Sequence, residues 1–186
     1  MLGFRMLLSS NSLPLVTFEA VVPSFPDWME WDITNYVKDA ISQGLTNVDL
    51  LIKTKEIGTD IERRVIFYGR NDFINNRPII VVDNIDSIEA VKNCTIRNNS
   101  GGDINFIEIY DNDNGRGIIS FPIVNIINPN NVILKMLIWL IDSSFLQGKK
   151  LQVYRLIQSD WVENQATWNN YKTDSNWISP GGDYTG

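Results

Sequence analysis

Short runs of branched and aromatic residues, separated by polar segments, make up most of this 186-residue sequence. Such runs suit the pleated surface of a β-sheet. They lie at 48–54, 63–69, 77–82, 104–110, 117–124, 132–141 and 151–157. Segments rich in Asn, Asp, Gly and Pro, such as DNDNGRG at 111–117, supply the residues that turns require. The pattern predicts an all-β fold, an antiparallel β-sandwich of jelly-roll type.

One segment has the period of a helix instead of a strand. From about Ile33 to Gln43 the apolar residues recur at intervals of three and four positions, which places them on one helical face. Asp32 or Thr34 can cap the start, and Gly44 can end the helix. We therefore expect one short helix, lying over one end of the sandwich.

Composition narrows the classes of function. The formal net charge of -6 and the pI near 4.6 provide no basic surface for a phosphate backbone, so nucleic acid is not an expected partner. The chain has no histidine and a single cysteine, Cys94, which removes the commonest general base and the usual zinc ligands. No phosphate-binding loop or nucleophile elbow is present, and we predict that the protein is not an enzyme.

The first residues and the apolar runs bear on membrane insertion. Residues 1–12 are predicted to form an N-terminal arm, because polar residues at 9–12 interrupt the apolar start. The longest apolar run, VILKMLIWLI at 132–141, is too short to span a bilayer and contains Lys135. Membrane insertion is therefore not expected.

Three longer segments carry motifs of a known family. They are DWMEWDITNYVKDAISQG at 27–44, YGRNDFINNRPIIVV at 68–82 and VYRLIQSDWVENQATWNNY at 153–171. In the last, Trp161, Glu163 and the Thr-Trp-Asn-Asn block at 167–170 are the most specific part. Together these segments resemble the DNRLRE family of secreted and cell-surface β-sandwich domains, which is related to some carbohydrate-binding modules. The resemblance implies an extracellular, virion or cell-surface location.

The order of these motifs differs from that of the family. There the Trp-Asn-Asn block precedes the helix, whereas here it follows the helix. Residues 13–83 therefore resemble the family's C-terminal half, residues 93–186 its N-terminal half, and 84–92 a connector. Each half alone would expose strand edges and an apolar face, so the two must form one sandwich. Closure within one chain is favoured, and exchange between protomers is the alternative.

Tryptophans are the first candidates for ligand contact. Trp31, Trp161 and Trp168 lie within the family motifs and are expected in the core. Trp28 and Trp177 are flanked by polar residues or proline and are the predicted ligand-binding residues.

A cation site has weaker support. Asp111 and Asp113 are two positions apart in an oxygen-rich turn, which suits a hard cation such as calcium. The bidentate Glu of an EF-hand loop is missing, with Pro122 in its place. A solvated turn is the preferred interpretation, so no cofactor is predicted, and structural calcium is the alternative.

These observations leave two classes of function. The first is a non-catalytic structural and interaction protein, a subunit of an extracellular, filament or virion surface assembly that associates with itself or with neighbouring subunits. The alternative is a carbohydrate-binding module of a secreted or surface protein, with a glycan as its partner. An exposed aromatic platform would favour the second, whereas buried aromatics and large apolar contacts between protomers would favour the first.

Overall fold

Two antiparallel sheets form the framework of the protein. A computed structural model describes residues 18–23, 27–55, 64–97, 105–110, 115–141 and 149–185. The elements are β1 (Phe18–Val21), β2 (Trp28–Asp32), α1 (Thr34–Ser42), β3 (Asn47–Thr54), β4 (Arg64–Tyr68), β5 (Ile79–Val82), β6 (Asp86–Glu89), β7 (Lys92–Arg97), β8 (Phe106–Tyr110), β9 (Gly115–Pro122), β10 (Val132–Ile141), β11 (Lys150–Leu156), β12 (Asn170–Lys172), β13 (Ser175–Asn176) and β14 (Tyr184–Thr185). A 3₁₀ turn spans Ile74–Asn76.

Each large sheet contains six strands. The first sheet has the order β1-β11-β3-β9-β7, with β14 also paired to β11. The second has the order β6-β5-β10-β4-β8, with β2 also paired to β10. The predicted all-β antiparallel sandwich with one short helix is therefore confirmed.

The main core lies between the inner faces of the two sheets. Val65 and Phe67 of β4 and Ile107 and Ile109 of β8 belong to it and are fully buried. The sheets approach closely at Gly117 of β9, where an added Cβ would lie 2.3 Å from Cγ2 of Ile107. Glycine is required there because any larger residue would push β8 away from β9.

The outer face of the first sheet is covered by the C-terminal segment. A second core joins Leu51, Cys94 and Ile118 of this sheet to Trp161 and Trp177 of the covering layer. Because both faces of β9 are packed, all but the last of its residues are buried. The motif-rich segment near the end of the chain thus forms a third layer.

The helix connects β2 of the second sheet to β3 of the first. It spans Thr34–Ser42, within the predicted range, and buries Tyr36, whose hydroxyl donates to the carbonyl of Val153 at 3.1 Å. Gly44 has a φ of 70° and donates to Ile41, while the N–H of Leu45 donates to Ala40. These two bonds form a Schellman motif that satisfies the last carbonyls of the helix.

Strands from both predicted halves pair within this one chain. β3 lies between β9 and β11, and β10 pairs with β2, β4 and β5. The segment 84–92 is not a plain connector, because it contains β6, which forms a hairpin with β5. Asp83 and Asn84 have φ values of 51° and 59°, the left-handed geometry of a tight hairpin turn. The correspondence of 13–83 and 93–186 to family halves stays a prediction, and the arm 1–12 lies outside the described residues.

Within the described part of the chain, none of the helical segments has the length and apolar character needed to cross a membrane.

Candidate binding surface

The outer face of the second sheet carries a group of aromatic side chains. The aromatic band, as we name it, consists of Trp28 (β2), Tyr68 (β4), Phe106 (β8) and Trp139 (β10). Inward-facing neighbours of these residues belong to the main core, so alternation along each strand places the band on the opposite face.

A β-bulge exposes the centre of this band. The pairing of β10 with β4 shifts between Ile138 and Leu140, which leaves Trp139 as the extra residue. Trp139 and Leu140 are consequently 45% and 41% exposed, although they are consecutive residues of one strand. Bulges re-aim side chains in this way and are frequent beside functional sites.

Three rings of the band, those of Tyr68, Phe106 and Trp139, form a chain of contacts. The ring centroids of Trp139 and Phe106 lie 4.9 Å apart with a 30° angle between planes, and those of Phe106 and Tyr68 lie 6.4 Å apart. Ile66 of β4 pairs with Leu140 of β10 on one side and with Glu108 of β8 on the other. Its side chain also faces outward, yet it is only 2% exposed. The aromatic side chains therefore rest on a filled surface, which limits their freedom to rotate.

Trp28, which the sequence predicted as a ligand-binding residue, lies at the other side of β10. It pairs with Leu137, two residues before Trp139, and is half-buried. Its ring lies 6.0 Å from the Lys135 ammonium, which also forms an ion pair with Glu30. The structure thus brings Trp28 to the same outer face as Trp139, and its part in ligand binding stays a prediction.

Charged side chains lie next to the aromatic band on the same outer face, along β4 and β8. The arginine cluster, as we name it, consists of Arg64, Arg97, Glu108 and Tyr110. Arg64 Nη1 donates to Glu108 Oε1 at 3.1 Å and to the Tyr110 hydroxyl at 3.0 Å. That hydroxyl donates to Glu108 Oε2 at 2.8 Å, and Arg97 forms an ion pair with the same oxygen. The Arg97 guanidinium also lies 4.7 Å from the Tyr110 ring centroid.

Trp177, the other predicted ligand-binding residue, is buried and not exposed as ligand contact would require. Trp177 is 4% exposed, its ring lies 5.6 Å from that of Tyr171, and its Nε1 donates to the Thr167 carbonyl at 2.9 Å. Polar neighbours in sequence do not reveal that this side chain of the third layer packs into the core between that layer and the first sheet. Trp177 is therefore part of the second core, and no ligand can reach its ring without displacing that layer.

The other three tryptophans differ in burial. Trp31 and Trp161 are 2% and 1% exposed, as expected for core residues. Trp168 is only half-buried, with the Arg116 guanidinium 4.8 Å from its ring centroid. Trp161 Nε1 donates to the buried carboxylate of Asp49 at 2.8 Å, so this indole is fixed by a hydrogen bond as well as by packing.

The predicted cation residues Asp111 and Asp113 lie outside the described residues. Among those that the structure does describe, we find no group of three or more His, Cys, Asp or Glu side chains that could hold a metal ion. Calcium binding by the 111–113 turn therefore stays an untested alternative.

Two buried titratable groups lie away from the band. Burial raises the pKa of Asp49, and hydrogen bonds from Ser120 and Trp161 act in the opposite direction. Burial also raises the pKa of the Cys94 thiol, which keeps it protonated. Both groups are enclosed between the first sheet and the third layer, where substrate has no access.

A separate cleft of about 630 Å³ lies between β11, β14 and the loop before β14. Its lining includes Tyr154, Tyr184 and Asp183. The Asp183 carboxylate accepts the backbone N–H groups of Ile178 and Ser179, both at 2.7 Å. Both carboxylate oxygens of Asp183 are thus used to hold the loop in place and are less available to a ligand. The aromatic band is therefore the stronger candidate site.

Sequence reasoning missed the centre of the band. Trp139 lies inside the apolar run at 132–141, where it looks like one more core residue. Phe106 and Tyr68 lie in two other strands, and the pairing that brings them together is not visible in the sequence. The alternation of exposed and buried positions in β10 holds up to Ile138 and changes only at the bulge.

Comparison with protein-family models, with curated proteins and with solved structures yields no match to this chain. The resemblance to the DNRLRE family consequently rests on the sequence motifs alone.

Proposed function

We propose that the protein is a non-catalytic interaction module that binds carbohydrate through the aromatic band. The observation that carries this proposal is the contact between the exposed ring of Trp139 and the half-buried ring of Phe106 on the outer face of the second sheet. It favours the carbohydrate-binding alternative over the assembly subunit that the sequence placed first. An extracellular, virion or cell-surface location forms part of the same proposal.

The chemistry of the band suits a sugar ring. A pyranose presents C–H groups on its faces and hydroxyl groups at its edge, so it can stack on an aromatic face while its edge forms hydrogen bonds. Aromatic side chains with a few well-placed polar groups are the usual lining of small-ligand sites. Here the aromatic rings adjoin the partly exposed guanidinium of Arg64, which the buried carboxylate of Glu108 holds in place.

The size of the band argues for a narrow ligand. Charged pairs bound it, with Lys135 and Glu30 on one side and Arg64 and Glu108 on the other. A stable protein–protein interface buries about 800 Å² on each partner and usually has an apolar centre depleted of charge. A strip a few rings wide, between ion pairs, is better matched to an oligosaccharide.

A subunit of a surface assembly is the second candidate, and one observation favours it. β1 is a four-residue strand at the edge of the first sheet. Edge strands can accept a strand from a neighbouring chain, which is one route to self-association. Light scattering over a tenfold dilution series tests this candidate: large species that persist on dilution support it, and a monomer throughout counts against it.

Glycan-array binding followed by calorimetry tests the carbohydrate proposal. We expect Trp139→Ala to weaken binding at least tenfold and Trp139→Phe to retain part of the affinity, because phenylalanine keeps an aromatic face. Ile127→Ala, at an 82% exposed position of the β9–β10 loop, is the matched control and should bind as the wild type does. If the wild type binds no glycan, or if Trp139→Ala binds as tightly as Ile127→Ala, the proposal fails.

A further inference from the structure

The aromatic band and the arginine cluster are continuous on one face. Phe106, Glu108 and Tyr110 alternate along β8 and therefore point to the same side of the sheet. The pairing with β4 places them opposite Tyr68, Ile66 and Arg64 respectively. Alternate residues of a strand are roughly 7 Å apart, so a ligand one or two sugar rings long can contact both groups.

The cluster presents positive charge to the solvent. The Glu108 side chain is 9% exposed, whereas those of Arg64 and Arg97 are 38% and 33% exposed. Two guanidinium groups thus cover one carboxylate, which leaves one excess positive charge among these described side chains. This local charge is opposite to the net charge of -6 of the whole chain.

Within the described part of the chain, the contacts of each arginine leave some of its N–H donors unused. In the contacts between described residues, Arg64 uses only Nη1 and Arg97 only Nη2. A guanidinium has five N–H donors in a planar fork, and that fork matches the two oxygens of a carboxylate. Glu108 and the Tyr110 hydroxyl hold Arg64 from below, so its orientation is fixed before any ligand arrives.

These contacts also have a structural role. Arg97 lies on β7 of the first sheet and Glu108 on β8 of the second, so their ion pair joins the two sheets at one side. The N–H of Glu108 donates to the Thr95 hydroxyl at 2.8 Å and makes a second link there. One arginine would suffice for such a link, whereas two partly exposed guanidinium groups on one buried carboxylate have the charge to attract an anion as well.

We propose that Arg64 and Arg97 form a subsite for the carboxylate of an acidic sugar, a uronic acid, whose ring or neighbouring ring stacks on Phe106 and Trp139. This inference rests on the proposed function, because the aromatic band must bind carbohydrate for the subsite to act. It adds the chemical class of the ligand, an anionic oligosaccharide.

Matched pairs of oligosaccharides test the subsite. The probes are tetrasaccharides of galacturonic, glucuronic and mannuronic acid, each compared by calorimetry with its carboxyl-reduced, neutral counterpart. We expect at least one acidic probe to bind tenfold or more tightly than its neutral partner. That preference should decrease as salt is raised, because ion pairing at a partly exposed site is screened.

Substitutions of the two arginines test whether they cause the preference for acidic over neutral tetrasaccharides. Arg64→Gln and Arg97→Gln should each reduce the acidic-to-neutral ratio to about a third or less, while binding of the neutral probe changes less than twofold. Arg64→Lys and Arg97→Lys keep the charge and the link to Glu108, and they should restore only part of the ratio. Arg77→Gln is the control, since Arg77 is 32% exposed and forms an ion pair with Glu89 in the same sheet.

The possible failures are distinguishable. If neutral and acidic probes bind equally and Trp139→Ala abolishes both, the carbohydrate function stands and the subsite is wrong. A sulfated tetrasaccharide that binds more tightly than every uronate would overturn the assignment to a carboxylate. If no carbohydrate of any charge binds, both proposals fall. Thermal unfolding of each variant separates loss of the ligand contact from loss of the fold.

Discussion

Replacing Trp161 by phenylalanine should destabilise the protein in a way that depends on pH. The indole is 1% exposed and donates to Asp49 Oδ1 at 2.8 Å, across the boundary between the third layer and the first sheet. Phenylalanine keeps an apolar ring but leaves this buried oxygen without the donor. An unpaired buried polar group costs about 1–3 kcal/mol. The smaller ring adds a cavity term on the order of 1 kcal/mol, so the total is about 2–4 kcal/mol.

The pH dependence follows from the carboxylate. Because burial raises the pKa of Asp49 in the folded protein, the associated stability is fully present below its ordinary pKa of 3.8. It is lost as pH rises through the folded-state value. Removing the indole N–H takes away a bond that favours the charged form, so the folded-state pKa rises further. The penalty of Trp161→Phe should therefore be larger at pH 8 than at pH 3.5, which lies below the ordinary pKa of Asp49.

Urea denaturation followed by circular dichroism, at pH 3.5 and pH 8, measures both effects. Asp49→Asn is the matched background, because it keeps an acceptor of the same shape and removes the charge. In that background the Trp161→Phe penalty should be the same at the two pH values. A penalty that does not change with pH when Asp49 is present would refute the reasoning.

Two further predictions concern the first sheet. Glu19 forms ion pairs with Lys55 and Lys150, and the hydrogen bond from Lys55 is the main reason why its pKa falls from 4.5 to about 2. The lowered value means that the resulting stabilisation is present above pH 4.5 and is lost as pH falls towards 2. Glu19→Gln should therefore speed hydrogen exchange of the β1 amides at pH 7 but not at pH 2, and equal protection of both forms at pH 7 would contradict this. Cys94 is fully buried, so a thiol reagent should modify it only at the rate of unfolding, and fast labelling of the native protein would show that the third layer opens.

The elements that sequence reasoning found are those with strong local signals. The helix has both a clear period and Gly44 at its end, and it was predicted to within one residue at each end. The hairpin formed by β5 and β6 was missed, because Asp83 and Asn84 look like part of an acidic connector until their left-handed backbone is seen. Local composition does not tell a tight turn from a linker.

The candidate site depended on long-range contacts that no local signal contains. Trp177 looked exposed because its neighbours are polar, but it packs against Tyr171 within the third layer and belongs to the second core. Trp139 looked buried because its neighbours are apolar, but the bulge in β10 exposes it. In both cases the pairing of distant segments decides exposure. Trp28 has polar neighbours too, but it lies at the start of β2 on the outer face of the second sheet and is half-buried.

The position of β3 between β9 and β11 has a consequence for synthesis on the ribosome. β3 ends at Thr54, whereas β9 begins at Gly115 and β11 at Lys150, so β3 emerges long before either neighbour. The layer that covers its outer face, from Trp161 to Trp177, follows later still. Contacts between residues so far apart in sequence close slowly. The nascent chain therefore carries an apolar strand with one unpaired edge and an uncovered outer face until residues 150–177 have been made, and exposed apolar surface of this kind promotes aggregation during synthesis.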